Sequence, residues 1–264
     1  MSFQQFAESH GLIINSLVME KWVRVPTIDH PHKRNGAYIY DGQSGAVQNW
    51  AVHEKPISWY SKEAYRPDPN LAAKREKAAQ DKLRLQQKAA HKAQALIRSS
   101  VMDRHPYLVR KGFESAKAYV LGVQLVLPMR VNQSLVGCQI IQPDGGKKFL
   151  FGQRTKGASL TIDNKGRDIL CEGFATALSV RRALKELRER YTIHVCFSAG
   201  NMLEVARGKV NPLVIADNDP VGLRVARQIG EYWVSARDGE DLNDMEMREG
   251  TAAVSQSLSA LLGR

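Results

Sequence analysis

Cysteine is scarce in this sequence, with three residues in 264: Cys138, Cys171 and Cys196. So few thiols, so scattered, exclude a disulfide framework, and two of them lie in apolar runs as small core residues do. Long apolar stretches are missing as well. No run approaches the ~20 residues that span a bilayer, and the opening MSFQQFAESHGL lacks a basic-then-apolar secretory pattern. A cytoplasmic protein without a membrane partner is expected. The stretch also contains no G-x-x-x-x-G-K-[ST] phosphate loop, which excludes a motor of that type. Acidic residues are in deficit: 27 Asp and Glu face 38 Lys and Arg, a formal net charge of +11. Such a surface attracts polyanions, and nucleic acid is the leading partner class.

The apolar content of 43% suits a globular chain of one large or two small domains. Residues 1–62 read as a small β module. KWVRVPT and GAYIY alternate apolar and polar residues, and KRNGAY and YDGQSGAV carry turn signals. Trp22, Tyr38, Tyr40, Trp50, Trp59 and Tyr60 concentrate here, as core residues or as stacking platforms for unpaired bases. RPDPN then breaks the chain. In the connector 63–104, Leu71 to Ile97 has no glycine or proline, which predicts a helix. It carries seven Lys or Arg above a thin apolar stripe of Ala72, Ala79, Leu83, Ala90, Ala93 and Ile97.

Residues 105–165 predict a basic α+β subdomain. Strands VQLVLPMRV and LVGCQIIQ flank the turn NQS, and DGGKKFLFGQRTKGASLTI follows with Lys147, Lys148, Arg154 and Lys156 among glycines. Backbone of this kind lets phosphate approach closely. Residues 166–248 then alternate strand DILCE, IHVCFSAG as strand into turn, strand PLVIADND and a final strand candidate YWVSA with helical stretches ATALSVRRALKELRER, MLEVARG and PVGLRVARQIGEY. That alternation predicts an α/β fold with a mainly parallel sheet and flanking helices. A C-terminal helix is expected in 249–264.

The chemistry gathers where two of these strands end. Glu172 closes one, and Asp217 and Asp219 close another, at the carboxyl edge where α/β sheets place functional groups. Three converging carboxylates repel one another unless a cation or protons sit among them. Hard oxygens without nearby His or Cys suit Mg²⁺ or Mn²⁺. Asn218 and Pro220 would keep the loop tight. Asp-Asn-Asp-Pro is equally good turn and helix-capping chemistry, so both uses are open for these aspartates.

ILCEGFATALS followed by VIADNDPVG resembles the Toprim domain of bacterial-type primases, topoisomerases, recombination-repair proteins and some nucleases. The Glu-Gly and Asp-x-Asp signature falls on Glu172, Gly173, Asp217 and Asp219. KKFLFGQRTKGASL is similar to the basic element that precedes Toprim in replicative primases, and SAGNM to that family's second turn. HPYLVRKGF and RVPTIDHPHKRNGAYIY resemble phage and plasmid primase-type proteins. The resemblance implies a DNA primase-like nucleotidyltransferase that makes short RNA primers on single-stranded DNA by Mg-dependent phosphoryl transfer. It implies catalysis by Glu172, Asp217 and Asp219, with the same three residues as metal ligands. It also implies nucleotide or template contacts through Lys147, Lys148, Arg154 and Lys156. Ribonucleoside triphosphates would be substrates and a separate replicative helicase a partner. DGEDLNDM resembles the family's late acidic cluster, making Asp241 an outer metal ligand or a helix cap. A Toprim nuclease and an inactive nucleic-acid-binding accessory protein are the alternatives. One departure stands out: the β module 1–62 takes the position of the family's thiolate-rich zinc module but holds no cysteine, so the shape would be kept without the metal.

Overall fold

The computed structural model describes residues 1–61 and 71–261. The expected boundary at 62/63, the RPDPN break and the last residues of the expected C-terminal helix lie outside them. The chain divides into two compact units, 1–75 and 76–264.

In the first unit, helix α1 (Phe3–Ser9) packs on an antiparallel sheet of β1 (Val23–Val25), β2 (Gly36–Tyr40), β3 (Ser44–Asn49) and β4 (Ile57–Tyr60) in that spatial order. The sequence reading passed over α1. Its signal is a capping box: Ser2 Oγ accepts from Gln5 N while the Gln5 side chain accepts from Ser2 N. Phe3 and Ala7 then join Leu12, Val25, Tyr38 and Val47 in the core. Phe3 stacks on Tyr40 with ring centroids 4.5 Å apart. The aromatic residues differ in burial. Tyr38 is fully buried, whereas Trp22, Trp50 and Tyr60 are exposed and the Arg24 guanidinium lies 4.0 Å from the Trp50 ring centre.

Helix α2 (Leu71–Arg98) matches the predicted long basic helix. Its buried stripe keeps Ala93 of the expected one and differs at other positions. Leu83 is 56% exposed, while Ala89 and Ala93 are buried against Val126, Cys138 and Leu150. Small side chains let the helix lie close to the sheet beneath, so alanine marks the contact better than leucine does.

The second unit continues with β5 (Val101–Asp103), α3 (Pro106–Arg110), β6 (Ala118–Leu121), β7 (Gln124–Val131), β8 (Ser134–Ile141) and β9 (Lys147–Phe149). These strands form an antiparallel meander in sequence order. Next come β10 (Leu160–Asp163), β11 (Arg167–Cys171), α4 (Phe174–Glu186), β12 (Tyr191–Val195), α5 (Ala199–Ala206), β13 (Leu213–Ala216), α6 (Pro220–Ile229), β14 (Tyr232–Val234), α7 (Leu242–Glu249) and α8 (Thr251–Leu261). Their sheet runs β10-β12-β11-β13-β14. All neighbours are parallel except the edge strand β10, which is antiparallel to β12.

Burial on both faces explains the continuous apolar runs of these strands. Ile169, Cys171, Ile193 and Ile215 point into a core completed by Ala177, Val180 and Leu184 of α4 and by Val254 and Leu258 of α8. Leu170, Val214 and Ala216 point the other way, onto Met202 of α5 and Val225 and Ala226 of α6. The meander shares the first core through Leu125, Leu127 and Met129. All three cysteines are buried and free.

Several predicted extents change; the helix expected through Tyr232 ends at Ile229 and the one expected from Met202 starts at Ala199. The helix expected through Arg190 ends at Glu186, where Glu189 N bonds back to Leu184 O and Arg188 adopts a φ of 58°. That reversal lets Tyr191 enter β12. The expected strand YWVSA stops at Val234, and the next residues turn toward the loop that carries Asp241.

Candidate active site

β11 and β13 are direct parallel neighbours, with Cys171 beside Ile215. Glu172 follows the last residue of β11, and Asp217 follows the last residue of β13, so both leave the sheet at one edge. Both are half-buried. The Glu172 carboxyl is pushed above the ordinary range by burial, then by the charge of Asp219; a hydrogen bond from the Ala199 backbone and the Lys147 charge work against this. Asp217 is pushed up to about 7 by burial first, then by Asp241, Glu172 and Asp219, with Lys147 opposing. Its Oδ1 is buried and has no hydrogen-bond partner. A polar atom left so is costly unless something else supplies it.

Asp219 is exposed and caps α6, with one of its oxygens accepting from Val221 N at 2.8 Å and Gly222 N at 2.7 Å. Pro220 occupies the first turn of that helix. Asp241 caps α7 in the same manner, accepting from Asp244 N at 2.8 Å. Asn218 ties the two loops together, since its side chain donates to Ser235 O at 2.9 Å and Arg237 O at 3.0 Å. This brings the Asp241 charge to bear on Asp217. Gly222 permits the close approach of α6: a Cβ there would lie 2.5 Å from the Asp217 carbonyl oxygen.

Among the described residues, no group of three or more His, Cys, Asp or Glu side chains is gathered closely enough to hold a metal ion. The commitment of Asp219 to its helix cap is a physical reason. The donor set still fits Mg²⁺ or Mn²⁺, which is commonly bound by one or two carboxylates together with substrate phosphates and water. The unpartnered Asp217 oxygen would be the anchor for such an ion, with Glu172 at the end of the adjacent strand.

The four basic residues of the predicted element separate. Lys147 and Lys148 are exposed on β9, paired with Ile141 and Ile140 of β8. Lys147 is the one whose charge reaches both Glu172 and Asp217. Arg154 and Lys156 instead line a cleft of about 910 Å³ together with Arg130, Thr161, His194 and Lys209. One wall of this cleft holds a group the sequence reading did not single out. Asp168 Oδ1 lies 2.6 Å from His194 Nε2 and 3.1 Å from Lys209 Nζ. Burial first, and then the Lys209 charge, push the His194 ring below its ordinary range, while the hydrogen bond to Asp168 works against this. Partial burial would raise Asp168, but the bonds from His194 and Lys209 hold it below the usual carboxylate range. No linear spacing connects these three: the β11–β12 pairing brings Asp168 to His194, and Lys209 reaches them from the segment between α5 and β13.

SAGNM, expected as a turn, instead opens α5 behind its cap Ser198, and Asn201 of that helix fixes the basic loop to the sheet. Its Oδ1 accepts from Gly157 N at 2.7 Å, and its Nδ2 donates to Ala158 O at 2.7 Å and Cys196 O at 2.8 Å. Asn201→Ala would strand these buried groups. Its expected cost is about 2–4 kcal/mol, read as a lowered urea midpoint with an unchanged slope; a change under about 1 kcal/mol would show that water replaces the amide.

No protein-family model matches the chain. Among solved structures, it is similar to a chain of the bacteriophage T7 lagging-strand DNA polymerase complex with the primase domains of two gp4 subunits. The identity there is 13% and the TM-score 0.41, over 60% of this chain and 87% of that one. A structure of the DnaG catalytic core is matched at 13% identity and a TM-score of 0.36, over 52% of each chain. The DnaG primase catalytic domain bound to single-stranded DNA is matched at 13% identity and a TM-score of 0.37, over 69% of this chain and 71% of that one.

Proposed function

We propose that this protein is a Toprim-type DNA primase of a phage or plasmid replicon, joining ribonucleotides into short primers on single-stranded DNA. The observation that carries the reading is the placement of Glu172 and Asp217 at the ends of adjacent parallel strands, with a buried Asp217 oxygen that no protein donor satisfies. Bound there through Asp217 and Glu172, Mg²⁺ or Mn²⁺ would supply charge neutralisation at the triphosphate. Glu172 sits at the mouth with a raised pKa, suited to taking a proton from the attacking 3′ hydroxyl or returning one to the leaving pyrophosphate. Lys147 balances part of the acidic charge and presents an ammonium to incoming phosphate. Asp219 and Asp241 act at one remove, holding the helix starts and adding negative field.

The test combines purified protein, single-stranded DNA, labelled ribonucleotides and Mg²⁺. New labelled oligomers of template-dependent composition are expected. Template cleavage without oligomers would replace primer synthesis by a nuclease activity of the same site, and no reaction at all would leave a binding protein.

The basic residues give a second test. Lys147→Ala with Lys148→Ala should weaken single-stranded DNA or nucleotide binding and impair synthesis. Lys82→Ala with Lys88→Ala changes only exposed positions of α2, and should lower affinity modestly while leaving synthesis on saturating template unchanged. Removing one lysine–phosphate pair flattens the log–log salt dependence by roughly 0.7. If the α2 variant loses synthesis at saturating DNA while the β9 variant keeps it, the active surface has been placed on the wrong element.

A further inference from the structure

Phe151 is 87% exposed, the highest value for any large apolar side chain among the described residues. An aromatic ring held in water is costly, by about 25 cal/mol for each Å² left uncovered. This ring is not on a loose tail. It occupies the second position of the turn Leu150–Gln153, in which Gln153 N donates to Leu150 O at 3.2 Å. The Gln153 side chain locks the turn from within: its Oε1 accepts from Leu150 N and Cys138 N, both at 3.1 Å, and its Nε2 lies 3.0 Å from Met129 Sδ. Leu150 points down into the core. Gly152 has a φ of +76°, and a Cβ there would lie 2.9 Å from Leu85 Cβ of α2, so the turn is pressed against the helix as well. Anchored on β7, β8 and α2, the backbone presents Phe151 outward.

The surroundings indicate what would cover it. From Gly145 to Ile162 the chain has Lys147, Lys148, Arg154 and Lys156 and no acidic residue. The same strand leads to the acidic mouth. Phe149 meets Phe197 edge-on with centroids 6.4 Å apart, and Phe197 N donates to the Glu172 carbonyl at 2.9 Å. Four positions separate Lys147 from Phe151, at most ~13 Å of extended chain. A fixed, flat, apolar surface among cations and close to a phosphoryl-transfer site matches an unpaired nucleobase whose own strand supplies the phosphates. A duplex offers no free base face at this position.

We propose that Phe151 stacks on a base of single-stranded nucleic acid and so sets where the strand passes the carboxylates. This rests on the function proposed above, but it concerns binding and can fail separately from it. The experiment measures anisotropy of two labelled oligomers with equal numbers of phosphates, oligodeoxythymidine and an abasic strand. Phe151→Ala should weaken thymidine binding by about 5- to 100-fold. Its binding to the abasic strand, and the salt slope on both, should stay as in wild type, because every cation that meets a phosphate is still present. Phe151→Trp should restore affinity, and its added emission should be quenched by thymidine strands. Equal affinity of wild type and Phe151→Ala for thymidine overturns the proposal, as does an equal loss on both oligomers. Loss of binding to phosphatidylserine vesicles in place of DNA would assign the ring to a membrane and also overturn it. Wild type that binds DNA through Phe151 but makes no primers sinks the synthesis reading and leaves stacking in place, whereas wild type that binds no single strand removes both.

Discussion

Glu172→Gln is expected to lower primer synthesis by about 10²–10⁴-fold, the usual contribution of a positioned acid or base. Its melting temperature should match or exceed that of the wild type. The two outcomes follow from one location. Cys171, the preceding residue, is fully buried and belongs to the sheet, while Glu172 stands half-buried at the edge where the strand ends. Its carboxyl contributes charge in a place that disfavours charge, first through burial and then through Asp219. Glutamine keeps the shape and an oxygen for the Ala199 N–H while removing that charge, so folding should not suffer. A carboxyl whose folded pKa lies above its unfolded value binds its proton more tightly when folded, and stability declines as pH rises between the two values. The wild type should therefore lose stability relative to the variant on going from acid to neutral pH. Wild-type synthesis by a folded Glu172→Gln protein would remove Glu172 from the reaction.

What could be seen in the sequence was set by patterns that survive projection onto a line. DILC, IHVC and LVIA are buried on both faces, so their apolar runs announced parallel strands, and their spacing announced the helices between them. Glu172 and Asp217 were legible because each follows such a run directly. The long α2 was legible from the absence of glycine and proline. Features that depend on register or on pairing between distant segments were not. That Lys147, rather than Lys148, Arg154 or Lys156, acts on the acids depends on how β9 pairs with β8. That β10 runs against its neighbour is decided by the turn at Asp163–Arg167. The Asp168–His194 pair exists because β11 and β12 are adjacent, and Lys209 joins it from the segment after α5. Asp219 shows a subtler limit: its motif permitted both metal binding and capping, and the geometry commits one oxygen to the cap. Nothing in the sequence marked Phe151, because its exposure depends on the turn locked by Gln153.

Asp217→Asn is expected to stabilise the metal-free protein at pH 8 and to abolish most of the stabilisation that Mn²⁺ gives the wild type. In the folded chain the Asp217 carboxyl titrates at about 7, driven by burial and then by Asp241, Glu172 and Asp219, against about 3.9 when unfolded. Between those values the folded protein holds a proton that the unfolded chain has released. The stability of the wild type therefore falls as pH rises through that window and stays lower above it. After allowing for solvent screening on its open side, the effect is about 2 kcal/mol, or ~4–8 °C for a unit of this size. Asparagine carries no charge to confine, so the variant should lack this part of the pH dependence. A cation that bound the folded state alone would relieve the same repulsion in the wild type. Asp219→Asn is the companion: asparagine caps helices as well as aspartate does, so α6 should hold, and its metal response should fall less than that of Asp217→Asn. Thermal melts of all three proteins at pH 5 and pH 8, with and without Mn²⁺, separate these effects. An Asp217→Asn protein that melts no higher than wild type at pH 8 and keeps the full Mn²⁺ shift would show that the buried oxygen is not the anchor for the ion.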